Sequence, residues 1–198
     1  AADFDGDGVG DILWRRRPGG RTEVWLMEGS VVKARSKVRH SPKRTWLFAG
    51  TADFDGNGKA DLLWRDIRKG TVYISLMDGS TVDRTLSIGT ASPMEGKIVG
   101  TGDFTGNGGA GVLWHSPVGG RLSLWVIEAL EVADQLPAGQ LPYPPWRIFG
   151  GSDFNGDGCA DIAGVNRVTG ELSLWLMDGA GMADSVTVGE IPGGSILW

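Results

Sequence analysis

A fifty-residue repeat constrains this chain more than any other feature. DFDGDGVGDILWR begins at Asp3, DFDGNGKADLLWR at Asp53, DFTGNGGAGVLWH at Asp103 and DFNGDGCADIAGV at Asp153. A second motif keeps the same spacing: EVWLMEGS from Glu23, YISLMDGS from Tyr73, SLWVIEAL from Ser123 and SLWLMDGA from Ser173. Four units fill the 198 residues without a linker, as one domain over 1–198 with repeats about 1–48, 49–98, 99–148 and 149–198. Units of this kind bury their apolar faces against their neighbours, so stacked or circular arrays are their stable forms.

Within a unit the periodicity is that of strands. Val24 and Leu26 alternate with Trp25 and Met27, and both sets are apolar, which suits a strand covered on both faces. Met-Glu-Gly and Met-Asp-Gly follow as turns. Val32, Ala34, Ser36 and Val38 then alternate with Lys33, Arg35, Lys37 and Arg39, a period of two with one face in water. Ile12–Trp14 and Trp46–Phe48 supply further short strands. Four strands in about fifty residues make a propeller blade, and the 33 glycines, free of any collagen period, mark its many turns. The expected fold is all-β, a four-bladed β-propeller. Trp198 falls opposite Phe48, Ile98 and Ile148, so the C-terminal strand is expected to complete the blade that the N-terminus begins and to close the ring.

Each repeat opens with an acidic loop. Counting Asp3 as position 1, the first copy offers Asp3, Asp5, Asp7, the Val9 carbonyl and Asp11, with Gly8 at the bend. Alternate oxygen donors around a glycine suit a hard cation of six to eight ligands, calcium before magnesium. The pattern follows the first half of an EF-hand, but position 12 is Trp14 and the flanks are strands, so Asp11 takes the late carboxylate's part. The second copy offers Asp53, Asp55, Asn57, the Lys59 carbonyl and Asp61. The fourth offers Asp153, Asn155, Asp157, the Cys159 carbonyl and Asp161. The third is degraded: it keeps Asp103 but has Thr105, Asn107 and Gly111 at the other side-chain positions. Three Ca²⁺ ions are therefore expected. They would bring the formal charge of −5 to about +1. Asx turns alone would also use Asp and Gly, but four carboxylates in nine residues repel one another without a cation.

The run FGGSDFNGDGCAD, Phe149 to Asp161, resembles FG-GAP or VCBS-type repeats, the calcium-loop blades of integrin-alpha-like propellers. The resemblance extends over all four units. It implies the propeller fold, calcium held in the loops by the residues just named, and a secreted or cell-surface setting. Integrin-type propellers have seven blades, and this chain has four.

Other residues carry two readings each. Trp14, Trp64 and Trp114 share one repeat position, with Gly164 in the fourth copy. Trp25, Trp125 and Trp175 share another, with Ser75 in the second. They pack between sheets, or some of them stack on sugars. Phe4, Phe54, Phe104 and Phe154 are expected core anchors. Ten of the 19 Lys and Arg lie between Arg15 and Arg44. They blunt an outer strand against edge pairing, or they form a patch for an anionic polysaccharide.

Several function classes find no support. One cysteine, Cys159, excludes an intrachain disulfide, and no apolar run reaches the length of a membrane helix. No nucleic-acid motif accompanies the basic cluster. His40 and His115 stand in different repeats without a catalytic motif, so no enzyme is expected. The expectation is a calcium-stabilised extracellular binding module, lectin-like and monomeric if the ring closes. The alternative is a protein-interaction or scaffold propeller, with a cell-surface protein rather than a glycan as partner.

Overall fold

In a computed structural model, residues 2–15, 21–38, 45–116, 118–142 and 146–191 are described. Among the described residues the chain is all-β apart from one short 3₁₀ turn, Pro93–Glu95. The first sheet holds β1 (Ile12–Arg15), β2 (Thr22–Glu28) and β3 (Val31–Lys37). The second holds β4 (Trp46–Ala52), β5 (Asp61–Asp66), β6 (Thr71–Asp78) and β7 (Thr81–Thr90). The third holds β8 (Lys97–Gly102), β9 (Gly111–His115), β10 (Arg121–Glu128) and β11 (Glu131–Gln140). The fourth holds β12 (Trp146–Ser152), β13 (Asp161–Asn166), β14 (Glu171–Asp178) and β15 (Gly181–Glu190).

Strands follow one another in chain order within every sheet. This is the up-and-down order of a propeller blade, and the fold is that of a four-bladed β-propeller. The expected closing strand at Ser195–Trp198 lies outside the described residues, as do His40 and Arg39.

The chain divides into two compact units. One comprises residues 1–91 with 129–131, and the other takes the remainder of the described chain. In the first unit Phe4, Val24, Trp46, Leu62, Trp64 and Met77 form a continuous core. In the second, Phe104, Leu113, Leu122, Leu124, Ile162, Trp175 and Met177 do so. The third strand of a blade is apolar on both faces because both are covered. In β10, Leu122 and Leu124 on one face and Trp125 and Ile127 on the other are all buried.

The outer strand β3 is mostly exposed, Ala34 included. The expected alternation survives in part: Val32 and Ser36 are half-buried and Val38 buried, Lys33, Arg35 and Lys37 are exposed, and Ala34 is the exception. An outermost strand has no further sheet to lie against. Phe4, Phe54 and Phe104 are buried as expected, but Phe154 is half exposed. Phe4 packs on the second blade and Phe104 on the fourth.

Candidate metal centre and binding cavity

The acidic loops join the first two strands of a blade, between β4 and β5 in the second repeat, and one backbone design serves all four. The carboxylate at position 1 accepts from the loop amides. Asp3 takes Gly6 and Gly8 N–H at 2.7 and 2.8 Å, and Asp53 takes Gly56 and Gly58 at 2.8 Å each. Asp153 takes Gly156 and Gly158 at 2.6 and 3.0 Å. Asp103 takes Asn107 and Gly108 at 3.2 and 2.7 Å. Positions 4 and 6 hold left-handed glycines in every copy, as with Gly56 at φ 75° and Gly58 at φ 81°. A side chain there would strain the turn. Position 5 forms an Asx turn: Asp7 accepts from Val9, Asn57 from Lys59, Asn107 from Gly109 and Asp157 from Cys159.

Position 9 has a role that the sequence did not disclose. Asp11, Asp61 and Asp161 are fully buried. Each carboxylate accepts one N–H from the loop phenylalanine and one from a methionine sixteen residues on. The pairs are Phe4 and Met27 at 2.8 Å each, Phe54 and Met77 at 3.0 and 2.8 Å, and Phe154 and Met177 at 2.8 and 2.9 Å. The strand register slips beside these methionines, between Leu26 and Met27, Leu76 and Met77, and Leu176 and Met177. The methionine N–H is turned to the carboxylate, and a β-bulge takes up the extra residue. The recurrent Asp and Met sixteen residues apart was the available signal.

Carboxylates converge in two loops. Ligand oxygens of Asp3, Asp5 and Asp11 lie within 4.8 Å of one another, and so do those of Asp53, Asp55 and Asp61. Burial pushes the Asp61 carboxyl up to about 6 against the pull of its two amide donors, and Asp55 and Asp53 add to the rise. Asp5 Oδ1 is buried without a hydrogen-bond partner. A buried orphan oxygen beside two further carboxylates fits a hard divalent cation, because a carboxylate holding two amides still has lone pairs to give.

The other candidates are placed differently. Asp7 stands outside the first cluster and is lowered, first by the Val9 amide. Among the described residues the fourth loop shows no such convergence. Asn155 accepts from Asp157 N–H at 2.9 Å, and its Nδ2 donates to Asp157 Oδ2 at 2.7 Å. Val9, Lys59 and Cys159, named for their carbonyls, stand at the Asx-turn position of their loops. Cys159 is a buried member of the second unit's core.

The six tryptophans divide. Trp64, Trp114, Trp125 and Trp175 are buried. Trp64 donates its indole N–H to Ser75 Oγ at 3.1 Å, so the residue that interrupts the second tryptophan column is a partner of the first. Trp14 is 50% exposed, and its ring centroid lies 5.3 Å from that of Trp25. The two rings line a cavity of about 520 Å³ with Arg15, Arg21, Glu23 and Lys37. Among the described residues β1 is the edge of a three-stranded sheet, with no strand lying beside Trp14. In the second blade β4 covers that edge, and Phe48 meets Trp64 edge-on.

Comparison with known proteins agrees with this geometry. Residues 3–64 match the model of an FG-GAP-like repeat. No curated protein matches the chain. Among solved structures it is similar to the Photorhabdus luminescens Tc holotoxin pore carrying the TccC3-D651A mutation, with 19% identity and a TM-score of 0.58. The match covers 98% of this chain and 9% of that one, so the likeness is to a small part of a much longer protein and concerns the fold. The chain thus folds as a four-bladed β-propeller, and its residues 3–64, which hold the first two acidic loops, are similar to an FG-GAP-like repeat.

Proposed function

We propose that this propeller is a calcium-stabilised, extracellular carbohydrate-binding module without catalytic activity of its own. The observation that carries the reading is the cavity on the first blade. The half-exposed indole of Trp14 offers an apolar platform, Trp25 lies tilted 55° to it with Arg35 4.1 Å from its ring centroid, and Arg21, Glu23 and Lys37 supply donors and an acceptor around them. A pocket with an aromatic floor and a few convergent polar groups suits a sugar ring, which has one apolar face and a rim of hydroxyls.

Calcium has a separate task. Asp3, Asp5 and Asp11, and Asp53, Asp55 and Asp61, would hold it, and the ion would supply charge neutralisation at the start of each blade. A ligand bound only by the folded state raises its stability, and extracellular calcium is concentrated enough for sites of about 10⁻⁴–10⁻³ M. The fourth loop, through Asp153, Asn155 and Asp157, is the third candidate.

A glycan-array screen in calcium and in chelator tests the reading, with Trp14→Ala as control. Sugar binding that is lost in Trp14→Ala while the fold persists supports it. Absence of any sugar hit from calcium-loaded, folded protein overturns the lectin reading. The second reading, a structural or protein-interaction module, is favoured by one observation: the similar toxin structure uses this fold as 9% of a far longer chain.

A further inference from the structure

The first loop differs from its copies by a lysine. Lys33 lies on β3, and the repeats place Asp83, Ala133 and Ala183 at its position. Its Nζ stands 3.3 Å from Asp5 Oδ2 and 3.3 Å from Asp7 Oδ2. The two carboxylates raise the pKa of the lysine, and the lysine in turn helps to lower that of Asp7. A cation thus already rests on two of the five groups that the first loop offers to a metal. The corresponding charge in the second repeat is placed otherwise: Lys59 pairs with Asp78, which is not a loop ligand.

Lys33 holds one oxygen of Asp5, and the other, Oδ1, is the one left facing a cation, so an ammonium and a divalent ion would share one carboxylate and repel each other across it. We propose that Lys33 is a built-in competitor for calcium at the first loop, filling the role of countercharge when calcium is scarce and setting a higher calcium threshold than that of the second loop. The inference rests on the calcium reading given above. It orders the sites: the Asp53 loop fills first, and the Asp3 loop fills only when Lys33 swings away. It also gives Lys33 a use beyond blunting an exposed strand.

Calorimetric titration with calcium chloride of the full chain, of Lys33→Met and of Lys69→Met tests it. Unfolding of each in calcium and in chelator accompanies the titration. Removing two exposed charge pairs is expected to tighten one class of sites about three- to tenfold, and adding Asp5→Asn to Lys33→Met should abolish that class. Lys69→Met removes the same charge from an exposed residue outside the loops and should leave the affinities within about twofold. Lys33→Met should unfold at lower temperature in chelator but not in calcium.

Unchanged affinity in Lys33→Met overturns the proposal, as does equal tightening in Lys69→Met. An equal loss of stability in both conditions, the mark of a merely structural lysine, does the same. Calcium binding by the parent chain without an effect of Lys33→Met defeats only this inference. No binding by any variant defeats the calcium reading as well. Binding by Lys33→Met alone is its strongest support.

Discussion

The second and third repeats carry the same loop with different chemistry. Both have the position-1 aspartate, Asp53 or Asp103, accepting from the loop amides, and both have two left-handed glycines. Only the second has carboxylates at positions 3 and 9. In the third, Gly111 replaces the buried aspartate, and Phe104 N–H turns to the Gly102 carbonyl at 3.2 Å. A Cβ on Gly111 would stand 2.9 Å from Leu124 Cδ1, so the core has closed over the vacated place. The loop's path is therefore set by one aspartate and two glycines. Positions 3 and 9 are surplus to that path, which is what makes them available to a cation.

The largest expected effect is at Asp61. Its two oxygens each satisfy a buried N–H, and Asp61→Asn turns an amide N–H₂ toward one of them. The loss should be about 1–3 kcal/mol, read by urea unfolding in chelator, together with loss of the calcium response at that loop. No comparable residue exists in the third repeat.

A second test separates scaffold from ligand. Asp53→Ala and Asp103→Ala each remove the cap of a loop, and each should cost about 1–2 kcal/mol in chelator. Calcium should widen the difference between them, because only Asp53→Ala also forfeits a bound ion. Equal behaviour in calcium would contradict the assignment of a working site to the second loop alone of this pair.

The hairpin turns sharpen the same contrast. Gly79 takes φ 59° in the second repeat, whereas the third has Ala129 at φ 48° and Leu130 at φ 64°. Ala129→Gly should therefore stabilise by about 0.5–1 kcal/mol, and Gly79→Ala should destabilise by about 1 kcal/mol. Thermal unfolding of the pair would show opposite signs.

The smallest effects are those of pH. The folded-state pKa of Asp61, raised to about 6, lies above its value near 3.8 in the unfolded chain. Its contribution to calcium-free stability therefore falls as pH rises between those values. A cation needs the carboxylate form, so the calcium-induced rise in melting temperature should shrink as pH drops below about 6. His115 in the third repeat is shifted the other way, lowered by burial and by Lys97. The folded state then binds a proton less readily than the unfolded one, and stability is lost as pH falls through about 6.5. His115→Gln should flatten that part of the profile, measured by melting temperature against pH.

Much of the architecture was legible because the repeat is nearly free of insertions. A fifty-residue period with alternating apolar residues and Gly-centred turns leaves few alternatives to blades. The loop's turn geometry was legible too, since Asp and Gly at alternate positions obey local geometry. Three features were not. The use of Asp61 as a buried acceptor depends on Met77, sixteen residues away on another strand. The reach of Lys33 to Asp5 and Asp7 crosses 28 and 26 residues. The exposure of Trp14, against the burial of Trp64 and Trp114 at the same repeat position, depends on whether a strand lies along that sheet edge.

By itself, the sequence determined the all-β class, the number of blades, the four loop sites and the degradation of the third, because these follow from local periodicity and from residues close along the chain. Only the tertiary structure decided which carboxylates converge, which lysine neutralises them and which tryptophan stays open to a ligand. Those outcomes turn on distances between segments far apart in sequence, and a repeat pattern assigns equal roles to positions that the fold surrounds unequally.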